Sequence, residues 1–270
     1  MQREFQRDLA AMDLPVGPAL GEPLLERDLA ELPTPARRMM RFARVLGRPR
    51  DWSFNARLSG RFRPGRDAAW QHLSALQYST GLPEPTRIFY MTLRFFGLPV
   101  LGRDTYLHGK GRMLVRPLDL FTVQDGQGPE FDLGELVTWL NDAVLLAPSM
   151  LLHPAVSWTG IDDHCFELTV RDQGKLVRAR VYVDAQGGVT DFHTEDRWFV
   201  PPGSKEAPVR TLWTTPVEGW HWVDGRMLPT RAEAIWRPEG SPPLPYASIR
   251  FEPGMLLFNV PPSAPLAAAA

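Results

Sequence analysis

Proline and glycine interrupt this sequence at short intervals, and this limits the length of any helix or strand that it can form. The chain has 27 prolines and 22 glycines among its 270 residues. Because proline disrupts both helices and central strands, and glycine favours turns, this punctuation predicts many short strands joined by turns. All-β folds often reach this length as a single unit, so we expect one large β domain.

Alternation of apolar and polar residues supports the same fold class. From Ser53 to Arg63 every second residue is apolar or small, and polar residues lie between them. This period of two is typical of a strand with one buried and one solvent-exposed face. Similar segments recur to about residue 251. The sequence therefore predicts a mainly β protein, with a strongly curved antiparallel sheet or partly open β-barrel of about ten strands.

One segment breaks this pattern and predicts a buried helix over residues 132–146. Asp132 and Glu135 have the spacing of a capping box, and Pro148 marks where the helix must already have ended. Apolar residues cover most of the helix circumference, which is typical of a helix that contacts several buried surfaces. We therefore expect this helix to pack into the concave face of the sheet and to bury Trp139.

The first fifty residues differ from the rest and predict an extended arm followed by a helix. Thr34 as a cap, Pro35 in the first turn and Gly47 as the stop indicate a helix that runs through Leu46. The expected divisions are an N-terminal arm and helix (1–50), a half-barrel domain with the inserted helix (51–260) and a disordered tail (261–270).

Charge, cysteine content and missing motifs exclude several classes of function. The chain has 30 basic and 31 acidic residues, which gives no overall attraction to nucleic acid or anionic membranes. The single cysteine, Cys165, excludes an intramolecular disulfide. Neither a secretory signal nor an apolar run of ~18 residues is visible, so we expect a cytoplasmic protein without a transmembrane helix. No phosphate loop, nucleophile elbow or metal signature is present, and we predict no cofactor and no metal.

Several segments of the chain resemble a bacterial family of uncharacterised proteins. They are LPTPARRMMRFARVLG (32–47), RDTYLHGKGRMLVRPL (103–118), DLGELVTWLNDAVLLAPSMLL (132–152), VSWTGIDD (156–163) and GRMLPTRAEAIW (225–236). The family is a domain of unknown function, DUF6544 or DUF6920-like, and the resemblance covers roughly Leu32 to Asn259. The expected strand order and inserted helix are also similar to the lipoprotein-carrier half-barrels, LolA and LolB. That likeness implies a curved sheet around an apolar cavity.

The best candidates for catalysis lie on one predicted strand. Asp104, Tyr106 and His108 alternate, so their side chains are expected on the same face. A histidine beside a carboxylate can act as a general base, and Glu135 could join them if the helix begins nearby. The alternative is that these are solvated residues on the outer face of the sheet.

The candidates for ligand binding are mostly aromatic. Wide aromatic walls suit a pocket for an apolar molecule, although the same rings are equally expected to fill a barrel core. Arg197, which shares a face with His193 and Glu195, could hold an anionic group or form a structural ion pair. The predicted ligand-binding residues are Tyr106, Trp139, Trp158, Arg197, Trp220, Trp222 and Trp236.

One further cluster of acidic and histidine side chains is better explained by local structure. Asp162, Asp163 and His164 lie between two predicted strands, where an Asp-Asp pair is ordinary turn chemistry. Their spacing matches no metal-binding signature.

Three functions remain open on this basis. The leading hypothesis is a protein that binds an apolar or amphipathic small molecule in a half-barrel cavity roofed by the helix at 132–146. The second is an enzyme that uses Asp104, His108 and Glu135 as acid–base groups. The third is a structural module whose N-terminal arm docks on a partner. The sequence gives neither the ligand nor the oligomeric state.

Overall fold

The fold is given by a computed structural model, which describes residues 1–95, 97–201 and 207–264. Most of the predicted disordered tail lies outside the described residues. The helices are α1 (Gln2–Ala11), α2 (Thr34–Phe42) and α3 (Pro129–Leu146). The strands are β1 (Ser53–Phe62), β2 (Gln71–Thr80), β3 (Thr86–Phe95), β4 (Leu98–Leu107), β5 (Lys110–Pro117), β6 (Gln124–Gln127), β7 (Val156–Asp162), β8 (Cys165–Asp172), β9 (Lys175–Val183), β10 (Val189–Thr194), β11 (Trp198–Phe199), β12 (Val209–Arg210), β13 (Leu212–Thr214), β14 (Val217–Val223), β15 (Arg226–Arg237), β16 (Leu244–Arg250) and β17 (Leu256–Phe258).

Fifteen of these strands form one antiparallel sheet, which confirms the predicted mainly β class. Its order is β6-β5-β4-β3-β2-β1-β16-β15-β13-β10-β9-β8-β7, with β14 paired to β15 and β17 to β1. Within the described part of the chain the sheet does not close, because β6 and β7 remain its two ends. Strands β11 and β12 form a separate ribbon.

The structure has more strands than the expected ten, since predicted strands are divided where the chain bends. The alternating segment that ends at Val223 is divided into β12, β13 and β14, with Pro216 in the gap before β14. Proline has no amide hydrogen to donate, so a continuous ladder is not available at that position.

Strands β2 and β3 are buried on both faces. Leu73 and Met91 point into the main core, whereas Tyr78 and Tyr90 belong to a smaller cluster with Phe5 of α1. The predicted extended arm is therefore wrong over residues 2–11, which form a helix on the second face of the sheet. The helix buries only Phe5 and Leu9, a spacing of one helical turn, and this weak apolar pattern explains why it was missed.

The second helix, α2, is shorter than predicted. Pro33 precedes it as the N-cap, so Thr34 is its first helical residue and does not cap it. It ends at Phe42 because the chain turns at Arg44, whose φ angle is 62°. Met39 and Met40 are buried in the main core.

The third helix, α3, is the buried helix that the sequence predicted. Trp139 is 1% exposed, and its indole nitrogen donates to the carbonyl of Thr80 at 2.8 Å. The helix contacts β3, β4, β5 and β6 in one half of the sheet, and β9, β10 and β15 in the other. None of the helices among the described residues has the length and apolar character needed to span a bilayer.

The start of α3 differs from the prediction. Gly128 and Pro129 begin the helix three residues early, and the expected capping box is not formed. Instead, Asp132 accepts a hydrogen bond from the amide of Gly111 on β5 at 2.8 Å. Glu135 also turns away from the helix backbone, towards the sheet. Asp132 and Glu135 therefore have the spacing of a capping box, but both form hydrogen bonds with strands instead of with the helix backbone.

Candidate functional site

A cavity lies between α3 and the inner face of the sheet. Its volume is about 140 Å³, and a second space of about 260 Å³ continues from it towards the outside. The two spaces adjoin each other and share five lining residues, Phe62, Met113, Glu135, Arg197 and Tyr246. The sheet and α3 thus enclose an inner chamber with an outer mouth.

Most of the inner chamber is apolar. Leu58 and Leu73 come from neighbouring strands, β1 and β2, and Met91 from β3. Leu145 of α3 and Phe251, which follows β16, close the same space. These positions exist because alternate residues of each strand point to the same face of the sheet. The walls suit the hydrocarbon part of a ligand.

A buried group of charges interrupts this apolar wall. Arg87 of β3 is 5% exposed and donates from Nε to Asp142 Oδ2 at 2.7 Å and from Nη1 to Glu135 Oε2 at 3.2 Å. Glu135 and Asp142 lie seven residues apart on α3, which places them on one face, two turns apart. Gln77 of β2 also donates to Asp142 Oδ2, at 2.7 Å. Asp142 Oδ2 therefore accepts two hydrogen bonds.

Glu135 is held away from water and beside a second carboxyl group. It is 4% exposed. Burial and the nearby charge of Asp104 raise the pKa of Glu135 from 4.5 to about 7, against the opposing effect of Arg87 and Arg197. Near neutral pH this carboxyl group is therefore balanced between its protonated and ionised forms.

Asp104 of β4 has the least complete set of partners. Burial raises its pKa, although Arg87 and Arg197 act in the opposite direction. Its Oδ1 is buried and accepts no hydrogen bond from the residues that the structure describes. Such an acceptor is unusual, because buried polar atoms are nearly always paired.

An aromatic corner adjoins the charged group. The guanidinium of Arg197 lies 4.5 Å from the ring centre of Trp213 and 5.4 Å from that of Trp236. The indole nitrogen of Trp213 donates to the hydroxyl of Tyr246 at 3.0 Å. Arg197 is thereby positioned over two aromatic faces at the junction of the two chambers.

The structure brings together two of the three predicted catalytic residues. Asp104 and Glu135 line the same cavity, but His108 does not. Strand β4 ends at Leu107, and His108 occupies the following turn with a φ angle of 49°. The expected alternation therefore stops before His108, which is exposed beside a separate small pocket. Tyr106 is buried, and its hydroxyl donates to Asp172.

Among the predicted ligand-binding residues, Arg197 and Trp236 line the cavity. Trp139 belongs to the core beside it. The others lie elsewhere: Trp158 packs against Phe166, Trp220 packs edge-on against Phe42, and Trp222 is 60% exposed beneath Arg44.

Two further groups of polar residues were considered in the sequence, one at Asp162–His164 and one around His193. Neither forms a buried charged group beside a cavity. Asp162 Oδ1 accepts from the amide of His164 at 2.7 Å, as expected for a turn. Strand β10 ends at Thr194, so His193 and Arg197 do not continue one alternating face. His193 instead lies 3.0 Å from Asp191 Oδ2.

Arg87 and Asp142 belong to the charged group but are not among the site residues predicted above. The sequence nevertheless contains a signal for each. Arg87 alternates with Phe89 and Met91, so it is a charged residue on an otherwise apolar face. Asp142 is the one charged residue in the mostly apolar segment 136–146, seven residues after Glu135. A charge in such a position is expected to have a buried partner.

Comparison with known proteins identifies a family for this chain and several solved structures that resemble it distantly. Residues 22–249 match the profile of a family described as a family of unknown function, DUF6544. No functionally curated protein matches. A DUF1329 family protein from Desulfovibrio piger is 12% identical, with 84% of this chain and 91% of that chain covered and a TM-score of 0.41. A LolA superfamily protein from Nitrosomonas europaea is 14% identical, with 80% and 91% covered and a TM-score of 0.39. A putative outer membrane lipoprotein-sorting protein domain from Vibrio parahaemolyticus is 8% identical, with 77% and 85% covered and a TM-score of 0.35.

Proposed function

Because the chain belongs to DUF6544, a family of unknown function, we propose its role from the cavity itself: the protein binds an amphipathic small molecule between α3 and the sheet. One observation carries this proposal. An apolar chamber contains a confined group of charged side chains and opens through an outer mouth. This combination is typical of small-molecule sites, in which apolar walls supply affinity and a few polar groups fix orientation.

The fold supports such a role if the sheet curves around α3 as a half-barrel. In favour of this shape, α3 contacts strands from both halves of the sheet, which a flat sheet would not allow. The helix then roofs the chamber, and the ligand enters past Phe62 and Trp236.

The energetic cost of the charged group is a second argument. Burying charges destabilises a fold unless they are well paired, and an apolar replacement is often neutral or stabilising. The protein nevertheless buries Glu135 and one carboxylate oxygen of Asp104, and that oxygen accepts no hydrogen bond from the described residues. A bound ligand that completes these contacts explains why the charges are there.

The test is native mass spectrometry of protein purified without detergent, combined with titration of the neutral fluorescent probe N-phenyl-1-naphthylamine. We expect a retained small molecule, or a probe bound at micromolar concentration. Ala234→Trp places a large ring in the chamber and should weaken probe binding at least about tenfold, equal to about 1.4 kcal/mol.

A matched control separates loss of the chamber from loss of the fold. Ala69→Trp adds the same ring at an exposed position and should leave probe binding unchanged. Ala247→Leu provides a milder filling of the same chamber if Ala234→Trp does not fold. Absence of any retained molecule, together with no probe binding by the unaltered protein, rejects the proposal.

A second candidate function is acid–base catalysis in the same cavity. The observation that favours it is the pKa of Glu135, which burial and Asp104 raise to about 7, a value suited to a general acid or base at neutral pH. His108 has no part in this version, because it lies outside the cavity. If the protein is an enzyme, Glu135→Gln should retain an unreacted substrate whose mass differs from the molecule recovered with the unaltered protein. Identical recovered masses favour simple binding.

A further inference from the structure

We infer that the polar end of the ligand is a protonated amine, held by Asp104 with Glu135 in the inner chamber. This inference rests on the proposed binding function and specifies its ligand class. The charges of the site, the partners of each carboxylate and the shape of the apolar wall support it independently of one another.

The charges of the site favour a cation. Three carboxylates, from Asp104, Glu135 and Asp142, face two guanidinium groups, from Arg87 and Arg197. The net charge is negative when all three are ionised. Glu233 also lines the chamber but is paired with Arg231, so it does not alter this balance. A ligand with one positive charge neutralises the group.

The existing hydrogen bonds leave Asp104 as the receiving group. Arg87 already donates to Asp142 and Glu135, and its guanidinium also lies 4.6 Å from the ring centre of Phe89. Asp104 Oδ1 accepts no hydrogen bond from the described residues. An ammonium group carries three donors, so it can satisfy this acceptor and still reach Glu135. A ligand carboxylate has no hydrogen to donate there.

The surroundings of Arg197 argue against an anionic ligand. Its guanidinium lies over the faces of Trp213 and Trp236, and its charge acts to lower the pKa of Asp104 and of Glu135. The charge of Arg197 therefore already acts on carboxyl groups of the protein. The apolar wall beyond it, from Leu58 and Leu73, is suited to an alkyl or aryl chain that extends from the amine.

Binding of an amine should be coupled to the protonation of Glu135. The charged and titratable groups around this carboxyl are Arg87 on β3, Asp104 on β4, Asp142 on α3, Arg197 after β10 and Tyr246 on β16. Because burial and Asp104 raise the pKa of Glu135 to about 7, a cation competes there with a proton. Affinity for an amine should therefore rise as the pH increases from 6 to 8, whereas affinity for a neutral analogue should not change.

The experiment compares octylamine, octanol and octanoate by isothermal titration calorimetry with the full chain at pH 7.5. The three molecules share one alkyl chain and differ only in charge and donor capacity. We expect octylamine to bind at least about tenfold more tightly than octanol, and octanoate to bind most weakly. Asp104→Asn should weaken octylamine binding at least about tenfold and so remove its advantage over octanol. Asp104→Ser provides the same test if the first variant does not fold.

The outcomes separate this inference from the function on which it rests. Tighter binding of octanoate, or equal binding of octylamine and octanol, overturns the amine inference while the binding function stands. An amine preference that Asp104→Asn does not reduce also overturns it. If none of the three molecules binds and no molecule is retained on purification, the proposed function itself fails.

Discussion

Asp51 and Asp104 are both acidic residues with buried carboxylate oxygen atoms, but their surroundings differ. Asp51 is 3% exposed and accepts two hydrogen bonds from Arg226, at 2.7 and 2.9 Å. Ser149 and Asn259 also donate to it, at 2.6 and 3.2 Å. Asp104 lines a cavity, and its Oδ1 lacks a partner among the residues described.

This difference distinguishes a structural charge from one that is available to a ligand. Around Asp51, segments far apart in sequence converge, since its partners include Ser149 and Arg226. Complete pairing of this kind offsets the cost of burial and fixes one arrangement of the chain. Asp104 is half-buried beside a cavity, and its buried Oδ1 has no partner among the described residues. The cost of burial remains there unless a bound molecule supplies the missing donor.

The largest effect is expected for the structural core beside the cavity. Trp139→Ala removes a fully buried ring and its hydrogen bond to Thr80, and should lower the free energy of unfolding by about 4 kcal/mol. Urea denaturation followed by circular dichroism measures this change. A loss of less than about 1 kcal/mol would mean that α3 is not packed as the structure describes.

The next largest effect is expected at the paired aspartate. Asp51→Ala leaves the guanidinium of Arg226 buried without its carboxylate, and should lower the free energy of unfolding by about 3 kcal/mol. The exposed Asp67→Ala serves as the control and should change stability by less than about 0.5 kcal/mol. Equal effects of the two substitutions, measured by urea denaturation, would contradict a structural role for Asp51.

A smaller effect is expected in the pH dependence of stability, and it has the opposite sign to that of an ordinary ion pair. The pKa of Glu135 rises from 4.5 in the unfolded chain to about 7 in the folded protein, because of burial and Asp104. Between these values the folded state binds more protons, so the contribution of Glu135 to stability decreases as the pH rises. Glu135→Gln should flatten the profile of unfolding free energy over this range. An unchanged slope in the variant would exclude a raised pKa at this residue.

The smallest effect on stability is expected for Asp104→Asn. The substitution removes a negative charge that burial disfavours. It breaks no hydrogen bond at Oδ1, because this oxygen has no partner among the described residues. Stability at pH 7.5 should be unchanged or higher by up to about 1 kcal/mol, measured by thermal and urea unfolding. A loss as large as that of Asp51→Ala would show that Asp104 is a structural charge and would remove the contrast between the two sites.

Features with a strong local pattern were predictable from the sequence, whereas features that depend on tertiary partners were not. The apolar circumference of the segment around Trp139 predicted a buried helix, and the alternation after Ser53 predicted β1. The capping box at Asp132 was wrong because both carboxylates find partners on strands that only the fold brings near.

The candidate site was predictable in part for the same reason. Asp104, Glu135 and Arg197 were selected from sequence, and all three line the cavity. His108 was grouped with them because the alternation was extended one residue beyond the end of β4. The sequence pattern does not predict that Arg87 belongs to the site. Its ion pairs with Glu135 and Asp142 depend on how α3 lies across the sheet.

The most direct test is a crystal structure of the protein with octylamine. It tests whether the cavity binds a ligand whose amine contacts Asp104. We expect density for one alkyl chain between α3 and the sheet, with the nitrogen within hydrogen-bonding distance of Asp104. A chamber filled by its own side chains, or an amine bound only elsewhere on the protein, would contradict it.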